Sequence, residues 1–130
     1  MARRKPPVYV DVDPDVLARL SAICAALPET VQQQSWGGTR WRIRQGTFAE
    51  VTAVDEPGGT VTVLRFCAEG EELEYLFTRG HPFMKAAWGD DVVWMLIDDG
   101  VDWDEVRELL TDSYCLFAPK YLAAAARPES

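Results

Sequence analysis

The stretch that decides the fold is Val92–Pro119, VVWMLIDDGVDWDEVRELLTDSYCLFAP. Val92 to Ile97 is a short apolar run closed by Asp98-Asp99-Gly100, the pattern of a buried strand that ends in a turn. Asp102, with Glu105 three residues later, has the spacing of a capping box and predicts a helix start. Asp104, Glu105 and Glu108 suit the positive end of that helix dipole. Trp103, Val106, Leu109, Leu110, Ser113, Tyr114 and Phe117 follow at helical spacing and form one broad apolar stripe. Pro119 sets the stop near Phe117 or Ala118. The acids lack the loop pattern of a calcium site, and a capped helix with a solvated acidic face accounts for them.

Working outward, Asp13-Pro14 opens another helix, with Val16, Leu17, Leu20, Ile23, Cys24 and Leu27 on one face and Pro28 at its end. Val8 to Val12 reads as extended, and Glu29 to Gly38 as a polar loop. Thr39 to Gln45 alternates: Arg40, Arg42 and Arg44 point one way, Trp41 and Ile43 the other. A turn at Gln45-Gly46 leads to a second strand, Thr47 to Val54, and would set Ile43 opposite Phe48 and Arg42 opposite Ala49. Asp55 to Gly59 turns into a third strand, Thr60 to Phe66, rich in β-branched residues. Glu69 to Thr78 is a short helix with Gly80 as its C-terminal glycine. Phe83 to Trp88 is a fourth strand, and the Val92 run the fifth. The expected fold is α+β: a two-layer α/β sandwich, α-β(3)-α-β(2)-α, with one antiparallel five-stranded sheet and helices on one face.

The chain of 130 residues is expected to be a single domain, with a flexible arm at 1–7 and a frayed tail at 120–130. At this length a core needs neither metal nor disulfide. Cys24, Cys67 and Cys115 are far apart and odd in number, which argues against a disulfide framework or a zinc site; no cofactor or metal is expected. No apolar run spans a membrane, and the start MARRKPPVYV lacks a signal-peptide core, so the expected location is the cytoplasm. The net charge of −8 is uneven: residues 1–46 carry +3 and residues 47–130 carry −11. The total repels phosphate backbones at long range, so any nucleic-acid surface must be local.

Several separated pieces carry a family resemblance. They are Leu27-Pro28-Glu29, Gly46-Thr47-Phe48-Ala49 and Gly80-His81-Pro82, then Trp94 followed by Asp99-Gly100-Val101-Asp102-Trp103, and Leu109-Leu110-Thr111-Asp112-Ser113-Tyr114. On these the chain resembles the MmcQ/YjbR-like family over about residues 13 to 118. The resemblance implies a secretion-chaperone-like fold and a DNA-binding role, with no catalytic residues to carry over. The chain departs from the usual pattern at Gln45-Gly46, where relatives commonly carry Gly-Lys. It also departs at Arg65, which stands for a lysine, and in lacking a proline soon after.

Three functions compete. The first is non-enzymatic DNA binding through Arg40, Arg42 and Arg44, helped by Arg3, Arg4 and Lys5; the plainer reading of the arginines is a solvated strand face. The second is a protein-interaction or chaperone-like module, with a protein partner or a homodimer, using the sheet face or a groove. Trp36 and Trp88 are its candidate contacts, and the plainer reading packs both at the core edge. The third is an enzyme. Only His81 and scattered carboxylates offer chemistry, with no nucleophile–base pair, so no catalysis is expected.

Overall fold

The structure is a computed structural model and describes residues 8–86, 89 and 91–127. Its elements in chain order are β1 (Val8–Val10), α1 (Pro14–Ala25), β2 (Val31–Ser35), β3 (Gly38–Ile43), β4 (Gly46–Glu56), β5 (Gly59–Cys67), α2 (Gly70–Arg79), β6 (Phe83–Lys85), β7 (Val92–Ile97), α3 (Trp103–Phe117) and α4 (Lys120–Ala126). The helix starts follow the capping signals. The Asp13 carboxylate accepts from the Asp15 N–H at 2.8 Å, and Pro14 occupies the first turn. Asp102 accepts from the N–H groups of Asp104 and Glu105 at 3.0 and 3.3 Å. Glu105 does not reach back to complete the box. It pairs instead with Arg79 at the end of α2, at 2.5 Å.

The fold is α+β. The strands form one antiparallel sheet in the order β2-β3-β4-β5-β7-β6, and β1 pairs with the far end of β4. The inward side chains of the sheet, among them Trp41, Ile43, Val51, Leu64, Phe66, Val93, Met95 and Ile97, form one core. Leu20 and Ile23 of α1, Leu76 of α2, Val106, Leu110 and Tyr114 of α3, and Leu122 of α4 complete it. The opposite sheet face, with Arg40, Glu50, Arg65 and Trp94, contributes nothing to this core, so the helices lie on one face as expected.

Among the described residues the expected five strands become seven. The Glu29–Gly38 loop contains β2, whose polar sequence VQQQS hid it: an edge strand needs only one backbone neighbour, and most of its side chains can stay in water. A two-residue turn, Trp36-Gly37, joins it to β3, and Gln32 Oε1 accepts from the Trp41 indole N–H at 3.0 Å. The tail also forms structure. Pro119 starts α4, the alanine run favours helix, and Leu122 is buried against α3.

The β3–β4 register differs from the expected one. Arg44-Gln45 is the turn, Ile43 pairs with Gly46, and Arg42 with Thr47. Gly46 serves close approach rather than turn geometry: a Cβ there would lie 2.3 Å from the Phe117 ring. Beyond Arg42 the ladder slips, because Trp41 pairs with Ala49 and Phe48 is left over as a bulge. Phe48 and Ala49 are consequently both buried. The Ser113 hydroxyl closes the gap. It donates to the Phe48 carbonyl at 2.7 Å and accepts from the Cys67 N–H at 2.9 Å. These are the groups that would meet next on β4 and β5, beyond the pair Ala49–Phe66.

Ser113→Ala strands both buried backbone groups. The expected loss is about 2–4 kcal/mol of unfolding free energy, read from the denaturant midpoint. A loss under about 0.5 kcal/mol, the size of an ordinary surface change, would show that the bulge is satisfied some other way.

Candidate functional site

The helix-free face of the sheet carries one continuous row of side chains in register: Gln33, Arg40, Glu50, Arg65, Trp94 and Met84. Alternation along each strand puts all six on the same side. Arg40 Nε donates to Gln33 Oε1 at 3.2 Å. Arg65 lies 3.7 Å from the Glu50 carboxylate, donates to Thr52 Oγ1 at 3.1 Å, and stacks over the Trp94 ring at 4.8 Å. Arg42 shares this face one step along β3, and among the described residues its guanidinium makes only a 3.4 Å contact with the Gln45 carbonyl.

Arg44 leaves the row. Its residue turns the chain with φ of 56°, so its side chain escapes the strand alternation. It reaches the Glu29 carboxylate at 3.2 Å and the Tyr121 hydroxyl at 2.7 Å. The strip therefore keeps Arg40 and Arg42, loses Arg44 and gains Arg65. The signal for Arg65 was its place in the alternation of β5, but only strand pairing sets it beside the arginines of β3. Arg3, Arg4, Lys5 and Trp88 lie outside the described residues.

Charge separates between the two layers. Glu71, Glu72 and Glu74 of α2 and Asp104, Glu105, Glu108 and Asp112 of α3 belong to the helical layer. On the opposite face the guanidinium groups of Arg40, Arg42 and Arg65 lie around the carboxylate of Glu50, and Glu56 shares that face at the far end of β4.

At one end of this face Trp36 is 87% exposed at the tip of the β2–β3 turn. Tyr9 packs against Gly37, where a Cβ would lie 2.7 Å from its ring, and Gly37 has φ of 81°. Glycine is thus required twice at this position, for backbone angle and for space. Of the two candidate tryptophans, Trp36 stands free of the core edge.

A second feature is an open groove of about 540 Å³ lined by His81, Pro82, Asp98, Asp99, Asp102, Glu105 and Arg79. Most of its acids are already engaged. Asp102 caps α3, Asp98 accepts from the Gly100 N–H at 2.9 Å, and Glu105 holds Arg79. Among the described residues no group of three or more His, Cys, Asp or Glu side chains could hold a metal ion. No helix of the described residues is long and apolar enough to cross a membrane.

The YjbR family model matches residues 25–116, well over half of the chain. The chain belongs to the YjbR family. No curated protein matches it. The matched span runs from the end of α1 through Leu116 near the end of α3, so it covers the arginine strip, the bulge and the His81 groove of this YjbR protein.

Its cysteines are poor nucleophiles. Burial pushes the Cys24 thiol up to about 12 and raises those of Cys67 and Cys115, with Asp91 adding to the rise at Cys67. All three are expected to stay protonated at pH 8. Alkylation by iodoacetamide should run at least roughly tenfold slower at Cys24 in the folded protein than in denaturant. Mass spectrometry reads this, and a thiol labelled faster than a free cysteine would reopen the case for covalent chemistry.

Proposed function

We propose that this YjbR protein is a non-catalytic DNA-binding module whose contact surface is the helix-free sheet face. The observation that carries the reading is the grouping of Arg40, Arg42 and Arg65 on one face while the acidic helices lie on the other. A net charge of −8 opposes approach at long range, but within a Debye length of about 10 Å the local strip governs contact. Guanidinium groups pair with phosphate oxygens and stack on flat rings, and Trp36 and Tyr9 at the end of the strip offer ring faces to an unpaired base. Catalysis is set aside because the thiols are held protonated and most acids around His81 serve caps and ion pairs. The family resemblance points to the same role.

Two or three phosphate contacts make binding weak and salt-dependent. Affinity for a random duplex should fall about 10- to 40-fold between about 50 and 200 mM salt. Arg42→Glu should cost at least about tenfold at low salt, whereas Glu50→Gln, which removes the carboxylate from the strip, should tighten binding. Fluorescence anisotropy with duplex and single-stranded probes measures all of these. Absence of binding at low salt, or equal binding by wild type and Arg42→Glu, defeats the proposal at its named surface.

Trp36 favours a second reading, a protein-contact surface at the β2–β3 hairpin. A tryptophan 87% exposed beside Tyr9 has the composition of an interface anchor rather than of an ordinary hairpin tip.

A further inference from the structure

Among the described residues no strand pairs with the outer edge of β2. β2 is the first strand of the sheet order, and Val31–Ser35 carries no charge and no proline, the usual means of blocking a sheet edge. Its backbone polarity has a definite direction. The two-residue turn makes Ser35–Gly38 the closing hydrogen-bonded pair, so Gln33 and Val31 also bond toward β3 by alternation. The N–H and C=O groups of Gln32 and Gln34 then face outward. Two large apolar side chains flank the strand at opposite ends: Val31, 54% exposed, and Trp36, 87% exposed.

We infer that β2 pairs antiparallel with β2 of a second copy of this chain, about a two-fold axis at Gln33. In this register Gln32 of each copy faces Gln34 of the other, and the outward peptide groups bond across the axis. Val31 falls opposite Ser35, and Trp36, one step further, comes against Val31 of the other copy. The two-fold brings both exposed apolar groups into contact at each end, so the surface is self-complementary as a symmetric dimer requires. The two sheets join into one. The inference rests on the second reading above, that the hairpin is a protein contact, and it is independent of the DNA reading. Each copy carries −8, so repulsion opposes association and salt relieves it, opposite in sign to the salt effect on DNA binding.

Sedimentation of the full chain from about 1 to about 500 µM gives the first result, a concentration-dependent dimer that needs no variant to test. Repeating it at about 0.05 and 0.5 M salt should show tighter association at the higher salt. Trp36→Glu and Val31→Lys, both at exposed positions, should each weaken the homodimer at least about tenfold, with unchanged circular dichroism. Mixing the two variants should restore association, because one end of the mixed dimer then sets the new carboxylate against the new ammonium. A monomer at every concentration and salt overturns the proposal, as does a dimer indifferent to both substitutions or a mixture no tighter than its components. A monomer whose capture of another protein is abolished by Trp36→Glu sinks the dimer and leaves the protein-contact reading standing.

Discussion

The Ser113 hydroxyl occupies the place of a missing rung between β4 and β5. The bulge at Phe48 parts the strands there, and Ser113 bonds to both exposed backbone ends, the Phe48 carbonyl and the Cys67 N–H. A side chain with no exposed surface thereby ties α3 to the two central strands. The next residue extends the tie. Tyr114 donates to the Pro28 carbonyl at 2.7 Å and sets its ring edge-on to Phe48, with centroids 5.5 Å apart. One turn later Phe117 lies on Gly46. The pieces on which the family resemblance was read, Pro28-Glu29, Gly46 to Ala49 and Ser113-Tyr114, are far apart in sequence and meet here. Their shared role in this chain is mechanical: they fasten α3 to the sheet.

That attachment occupies one face of the sheet and leaves the other to the strand side chains. With α3 fastened on one side, no helix of the described residues covers the opposite face of β3, β4 and β5. There Arg40 hydrogen-bonds to Gln33 of β2, while Glu50, Arg65 and Trp94 are linked by ion pairing and stacking across β4, β5 and β7. Such partly exposed pairs add little stability individually. Their consequence is position: neighbours on the sheet hold the guanidinium groups of Arg40 and Arg65, and among the described residues Arg42 is the least committed of the three. The overall acidity, which argues against a polyanion partner when taken as a single number, does not describe this strip, where three guanidinium groups surround Glu50.

Local chemistry announced the helices. Asp13 before Pro14 and Asp102 before an amphipathic stripe are signals that work within one turn, so α1 and α3 could be placed from the chain alone. The alternation of Arg40, Trp41, Arg42 and Ile43 was equally clear, since it depends only on strand period. β2 was not, because VQQQS has no apolar alternation and becomes a strand through its backbone pairing with β3. The β3–β4 register was misread for a related reason. Gly46 looked like a turn residue, but the constraint on it comes from Phe117, distant in sequence. Arg44 then had to take the left-handed turn position, which carried it off the candidate strip toward Glu29 and Tyr121.

The sequence by itself determined the α+β class, the order of the main elements, the helix caps, the apolar faces and the family, because these depend on residue type and short-range spacing. Tertiary structure alone decided that β1 and β2 join the sheet, that Phe48 bulges, that Arg65 replaces Arg44 beside Arg40 and Arg42, and that charge divides between the layers. Each of these turns on which backbone meets which across the fold, and such long-range contacts leave no periodic trace along the chain. Trp36 illustrates the division: its polar neighbours suggested exposure, and only the two-residue turn between β2 and β3 set it at the tip of an open sheet edge.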